Sequence, residues 1–289
     1  SVLNILMLCL LNKSLTMIAF LYKTIFILFS FFFVSSGIDF NDNFQGKATY
    51  VSKTKMELGS WGARMSEAQK KQIAARLKNR LEKEFTLIFN KEESVFIEEE
   101  QLDAISGATD SWGKNFAAGD NYKNVKLNTQ IQQQEFYGKK FLVKDNLQDI
   151  QWTLLNESKK IGDYVCYKAK TFIPTDDLQW YSFSWSRARS SSPDDNSKVD
   201  SKIDITEIEA WYTPEIPVRH GPSEYWGLPG LILEVSTGQT IMLCTKVIIN
   251  PIKKSDIEAP NKGSEINKNG YQELIQSKMA EFRNNRMRR

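Results

Sequence analysis

The stretch LILEVSTGQTIMLCTKVII, residues 231–249, decides the fold. Leu231, Leu233 and Val235 alternate with Ile232, Glu234 and Ser236, a period of two that sends successive side chains to opposite faces of a strand. Ser236-Thr237-Gly238-Gln239 reads as a turn, after which Ile241, Leu243, Thr245 and Val247 share a face. Strands joined by so short a link form a hairpin, and hairpins build antiparallel sheets.

The same signature recurs along the chain. Runs rich in β-branched and aromatic residues at 48–56, 85–90, 94–98, 124–129, 135–143, 150–155, 164–172, 180–185 and 205–213 are separated by turn signals and read as strands. One helix interrupts them. Ser66-Glu67-Ala68-Gln69 has capping-box form, and Ile73, Leu77 and Leu81 recur at four-residue spacing, which predicts a helix over 66–84 lying on a larger face. Residues 103–120, rich in Gly, Ala and Ser, and 187–202 (RARSSSPDDNSKVDSK) read as surface loops, the second as a polar insertion. Residues 251–289 read as a C-terminal extension. Leu274, Ile275, Met279 and Phe282 give it helical character, and its basic end reads as a solvated tail.

Just before the hairpin lies PEIPVRHGPSEYWGLPG, residues 214–230, with four prolines, three glycines and the chain's single histidine. Pro214 and Pro217 have no N–H to donate, so this segment stays out of a sheet interior. It is expected to leave a strand at Thr213, cross the rim and launch a strand at Leu231. Leu228-Pro229-Gly230-Leu231 has the form of a type II turn, which needs φ > 0 at Gly230, and His220-Gly221-Pro222-Ser223 reads as a second turn. Trp211, Tyr212, Tyr225 and Trp226 flank the segment.

Composition bounds the function. Of 289 residues, 41% are apolar, enough for a sizeable core. Residues 1–37 read as a signal peptide with Met17 as an alternative start: Lys23 precedes an apolar run from Thr24 to Val34, which Ser35, Ser36 and Gly37 follow. Export is the expectation. Without that segment, which carries Lys13 and Lys23, 36 basic residues face 35 acidic ones, and nothing draws the protein to nucleic acid. Membrane contact is expected only through the signal segment. Cys166 and Cys244 are then the cysteines left, and they suit either one disulfide or two buried thiols.

Catalytic signatures are scarce. A lone histidine excludes a multi-histidine metal site, and the chain has no GxSxG, HExxH or CxxC motif and no phosphate-binding glycine loop. No cofactor and no metal is expected. Glu207, Glu209 and Glu215 could pair as carboxylates, although ordinary strand alternation produces the same pattern. His220 with Glu215 or Cys166 is the one constellation that would support a hydrolase or a thiol-dependent enzyme.

The stretch WYTPEIPVRHGPSEYWGLPGLILEV, residues 211–235, resembles the signature of the GLPGLI family, with Gly227, Leu228, Pro229 and Gly230 as its structural heart. WTLLNESKKIGDYVCYKAKT, residues 152–171, is similar to the family's tryptophan strand followed by a Gly-Tyr-x-Cys-x-Lys-Ala strand. The resemblance covers residues 45–250. It implies a secreted or periplasmic protein of Gram-negative bacteria without an assigned reaction, built like the curved half-barrels of periplasmic lipoprotein carriers.

These readings converge on an exported α+β protein: one β-rich domain over 38–250, mainly a curved antiparallel sheet with one or two helices packed on it. The favoured function is binding rather than catalysis. Trp211, Tyr212, Glu215, His220, Tyr225 and Trp226 form the expected rim, holding an apolar or peptide-like ligand or an outer-membrane or envelope partner. A structural subunit of an envelope assembly is a further alternative.

Overall fold

The structure is a computed structural model that describes residues 44–55, 64–99, 116–178, 180–181 and 204–287. The signal peptide at 1–37, the insertion at 187–202 and residues 182–185 of one expected strand lie outside the described residues. In chain order the elements are β1 (Gly46–Thr54), α1 (Glu67–Leu81), β2 (Glu82–Phe89), β3 (Glu93–Glu98), β4 (Phe116–Asn124), β5 (Thr129–Phe136) and β6 (Lys139–Asn146). They continue with β7 (Thr153–Ile161), β8 (Tyr164–Pro174), α2 (Thr175–Leu178), β9 (Ile205–Thr213), β10 (Leu231–Thr237), β11 (Thr240–Ile249), β12 (Ser264–Ile266) and α3 (Lys268–Met287).

All 12 strands join one open sheet in the order β12-β6-β5-β4-β3-β2-β1-β11-β10-β9-β8-β7. Ten of its eleven pairings are antiparallel, and β12 runs parallel to β6. The β10–β11 hairpin forms as its alternation requires. Thr237 pairs with Thr240 across Gly238-Gln239, and Gly238 supplies a φ of 56° that an L side chain rarely adopts. Register shifts in β1–β11, β9–β10, β4–β5 and β7–β8 mark bulges, which bend and twist their strands and so curve the sheet.

Four expected strands are displaced. The run at 150–155 is strand only from Thr153 and continues to Ile161, and residues 180 and 181 lie in a turn. Residues 125–128 form a turn rather than strand, because Asn124 Oδ1 accepts the N–H groups of Lys126 and Leu127 and Asn128 takes a φ of 53°. The run at 135–143 likewise breaks at Tyr137-Gly138, the turn between β5 and β6. The expected loop at 103–120 gives way at Phe116 to β4. The helix holds over Glu67–Leu81: Ser66 Oγ accepts Gln69 N–H at 3.3 Å and Gln69 Oε1 accepts Ser66 N–H at 2.9 Å.

Three clusters of buried apolar residues form the core among the described residues. The largest joins Ala48, Tyr50, Leu87, Phe89 and Phe96 to Cys166, Leu231, Leu233 and Cys244. Tyr50 is wholly buried and donates its hydroxyl to the Ile232 carbonyl at 2.6 Å, so its one polar atom is satisfied inside the core. A second gathers Ala169, Ile173, Ile208, Ala210, Tyr212, Ile232 and Val235. The third forms where Tyr271, Ile275 and Met279, one face of α3 at four-residue spacing, meet Phe136, Phe141, Val143 and Trp180. The C-terminal segment is therefore more than an appendage: β12 extends the sheet and α3 closes part of its core.

Candidate functional site

The segment between β9 and β10 is built as a second layer against the sheet. Ile216 and Val218 enter the first core cluster, while Tyr225 and Leu228 enter the second, so one loop ties two clusters together. Its backbone is tied at several points. Ile216 C=O accepts from Val218 at 2.8 Å around Pro217 and from Leu231 at 3.0 Å, His220 C=O accepts from Ile232 at 3.1 Å, and Arg219 C=O accepts from Gly227 at 3.0 Å. His220 and Trp226 form an antiparallel bridge across the loop.

The turn grammar is corrected here. Gly227, at φ 99°, takes the positive backbone angle, and Gly230 does not. Gly230 is required by close approach instead: a Cβ there would lie 2.1 Å from the Thr213 carbonyl oxygen. The second turn closes two residues later than expected, over 222–225, where Tyr225 N–H reaches Pro222 C=O at 3.1 Å and Ser223 takes a φ of 50°.

A lysine that sequence reading did not single out holds this loop. Lys123 on β4 is wholly buried, and its ammonium donates to the carbonyls of Gly221 at 2.8 Å, Ser223 at 2.7 Å and Tyr225 at 3.0 Å. Three protons meet three acceptors. Burial draws its pKa down to about 7, with Glu224 opposing the shift, and the three carbonyls further favour the charged form. Glu224 is pushed up to about 7, chiefly by burial, against the pull of Lys268, Lys123 and a hydrogen bond from Trp180.

The expected rim residues are mostly committed elsewhere. Tyr212 and Tyr225 are buried, and the Tyr225 hydroxyl is 2.9 Å from Thr237 Oγ1. Trp226 donates Nε1–H to the Gln148 carbonyl at 2.8 Å, its own carbonyl accepts Trp152 Nε1–H at 2.8 Å, and Arg219 lies 5.4 Å from its ring centre. Trp211 is half-buried beneath Lys159 and Lys168. Glu215 is exposed and accepts Val165 N–H at 2.8 Å. Lys170 bridges Glu207 at 2.6 Å and Glu209 at 2.8 Å, so those carboxylates serve ion pairs on the sheet.

His220 is fully buried and lies 6.3 Å, centre to centre, from the Phe89 ring, and neither ring nitrogen has a hydrogen-bond partner among the described residues. Burial first, then the Lys123 charge, push its pKa down to about 3, against a weak contrary pull from the Asn90 backbone. A ring that stays neutral through the physiological range should show no step near pH 6.5 when its carbon-bound proton shifts are followed by NMR. A titration midpoint above about 5.5 would show instead that the ring is hydrated or charge-paired.

Cys166 and Cys244 are both free and buried, so the disulfide alternative gives way to two thiols acting as small apolar side chains. Burial pushes Cys166 up to about 11 and Cys244 up to about 12, which keeps both protonated at neutral pH. No hydrogen bond among the described residues joins His220 to Cys166 or to Glu215.

A cavity of about 310 Å³ opens beside this loop. Gln130 and Gln132 of β5 form one wall, and Val143, Asp145 and Asn146 of β6 a second; Leu147, Gln148, Asp177, Trp180 and Lys268 complete it. Gln130 faces Asp145 and Gln132 faces Val143 across the β5–β6 ladder, so the register aims these side chains to one side. Two of its three charged side chains, those of Asp145 and Lys268, are already engaged. Asp145 accepts the backbone N–H of Asn146 at 2.9 Å and of Lys268 at 3.3 Å, while the Lys268 ammonium donates to the Asp177 carbonyl at 3.4 Å and lies 5.4 Å from the Trp180 ring centre.

The amides are not engaged to the same degree. Gln148 Oε1 is buried without a partner, as are both amide atoms of Gln134, the next residue along that face of β5. Gln132 makes no hydrogen bond through its side chain among the described residues, and Gln130 donates to Asn121 Oδ1 at 3.1 Å. Sequence reading missed this cavity because β6 and α3, far apart in sequence, each supply part of it. The alternation Gln130-Gln132-Gln134 was the one available signal, and by itself it reads as an ordinary solvated strand face.

The fold and site define a class: an open antiparallel sheet whose proline- and glycine-rich crossover is clamped by a buried lysine beside a polar cavity. Residues 152–234, from β7 to β10 and including the crossover, match a family described as proteins of unknown function, Porph_ging. The chain is similar to structures of PNGF-II solved in space groups C2 and P21, with TM-scores of 0.47 and 0.46 at 18% identity. These likenesses cover 80% of this chain and 32% and 33% of those chains, so it spans about a third of their length. No curated protein matches it.

Proposed function

We propose that this is an exported binding protein of the bacterial cell envelope, of the GLPGLI kind, whose ligand seat is the cavity between β5, β6, α2 and the start of α3. The observation that carries the reading is the cavity itself, in whose wall the Gln132 side chain makes no hydrogen bond among the described residues. A free side-chain amide there can both donate to and accept from a bound molecule. A volume of about 310 Å³ matches the small end of ligand sites.

The expected apolar ligand finds less support than a polar one. Ile216, Val218, Tyr225 and Leu228 already cover the apolar surfaces that such a ligand would use. The rim residues take a different role: Trp226 fixes the Gln148 backbone, and Glu224 contacts Trp180, so the crossover buttresses two parts of the cavity wall. Export rests on the apolar run Thr24 to Val34 and the small residues after it.

The test is a backbone amide NMR titration of the protein with pooled small polar metabolites. Shifts should concentrate on Gln130, Gln132, Val143 and Leu147. Shifts confined to Trp211 and the exposed face around it, or none at all, would overturn the cavity as the seat.

A further inference from the structure

We propose that α3 is a strap: it undocks from β5 and β6 as one unit while the sheet stays folded, and so opens the cavity wall that Lys268 and Trp180 provide. The proposal rests on the reading of that cavity only for what the opening admits. One apolar stripe holds the helix down. Tyr271, Ile275 and Met279 are buried at four-residue spacing against Phe136, Phe141, Val143 and Trp180, with the Tyr271 ring centre 5.6 Å from that of Phe141 and 5.9 Å from that of Trp180. Phe282, itself exposed, adds a ring contact with Tyr137. The polar ties of α3 to its surroundings sit at its first residue, where Lys268 N–H donates to Asp145 Oδ2 at 3.3 Å and its ammonium to the Asp177 carbonyl at 3.4 Å. Further along, Ser277 donates to the Leu274 carbonyl at 3.0 Å and Lys278 to Glu281 at 2.8 Å, bonds that stay within the helix.

The surface beneath the stripe opposes its closing. Gln134 lies directly across the β5–β6 ladder from Phe141 and two residues before Phe136 on β5, so its side chain shares the face that α3 covers. It is buried, and neither its amide oxygen nor its NH₂ has a hydrogen-bond partner among the described residues. The Tyr271 hydroxyl, which the helix itself carries inward, has none either. Water satisfies all three atoms once the helix lifts, so undocking recovers hydration that docking removes. The β1–β11 side of the core carries no such opposition at its largest buried side chain, because the Tyr50 hydroxyl donates to the Ile232 carbonyl. α3 is therefore the element with the smaller opening free energy. Released from the sheet, a helix of 20 residues is marginal in water, so its amides exchange in the open state. Lys268 and Trp180 line the cavity, and the Trp180 ring packs on Tyr271, so the same motion uncovers the cavity.

The test is native-state amide exchange of the full chain, followed by NMR. The amides of residues 274–280 should share one protection factor, about tenfold or more below those of the β1–β11 pairing. Gln134→Leu and Tyr271→Phe delete the unpaired atoms and keep the apolar bulk. Each should slow exchange across α3 by about fivefold, the factor matching the lower end of the cost of an unpaired buried group, and leave β1–β11 unchanged. Gln134→Met replaces the leucine variant if that one disturbs the fold. The Trp180 indole proton should slow with the same variants, since its ring moves with Tyr271. Protection in α3 equal to that of β1–β11 overturns the strap. Protection that falls smoothly towards Met287 and ignores both variants overturns it too, because that is end fraying. Faster exchange in Gln134→Leu and Tyr271→Phe overturns it by showing that the polar groups help to hold the helix. An indole proton that ignores both variants overturns the link to the cavity. None of these measurements uses a ligand, so a strap that fails leaves the cavity titration to be judged by itself, and a failed titration leaves the strap standing.

Discussion

Lys123→Met is expected to destabilise the protein by about 3–5 kcal/mol and to loosen the crossover ahead of the sheet. Methionine keeps most of the apolar stem and deletes the ammonium, so the carbonyls of Gly221, Ser223 and Tyr225 lose a common donor while still buried. Hydrogen bonds to a charged group are worth more than neutral ones, and here three depend on one side chain. The check is a urea melt combined with amide exchange. The midpoint should fall, and the amides of Gly227 and Ile232, which close the loop on Arg219 and His220, should lose protection first. A change below about 1 kcal/mol would mean that the carbonyls rehydrate freely and that the lysine does not hold the loop.

Gly230→Ala should cost about 3 kcal/mol or more, the upper range for overpacking. The added carbon would lie 2.1 Å from the Thr213 oxygen, 2.5 Å from its carbon and 2.9 Å from the Pro214 nitrogen, all backbone atoms at the end of β9. No flexible side chain can move aside, so either the β9–β10 pairing at Leu231–Thr213 opens or the crossover shifts. Gly138→Ala is the control. It has a φ of 76° and open space around it, so it should lose only about 1–2 kcal/mol from backbone strain. Thermal melts that rank Gly138→Ala as the worse variant would refute the close-approach account.

Local features were legible because local physics sets them. Strands β9 and β11 have the bounds that their apolar alternation marks, and Ser66 caps α1 as its side-chain chemistry allows. The crossover between Thr213 and Leu231 was visible in its prolines, which cannot donate to a ladder. Where a β-like composition competed with a side chain that bonds its own backbone, the reading slipped: Asn124 turns the chain at a place where valine and leucine suggested strand.

The candidate site was legible only in part, for a reason of range. Trp226 and His220 could be named as unusual, but their fates depend on partners that the sequence does not bring near: Gln148 for one, Phe89 and Lys123 for the other. Composition and periodicity alone determined an antiparallel, helix-poor fold with a rigid crossover before β10, since turn chemistry and side-chain alternation act within a few residues. Tertiary structure alone decided that Lys123 is the clamp, that the cysteines are buried as free thiols, and that glutamines of β5 meet the start of α3 around a polar cavity. Those outcomes depend on which strands lie side by side and on what burial does to charge, and both arise only when distant segments pack together.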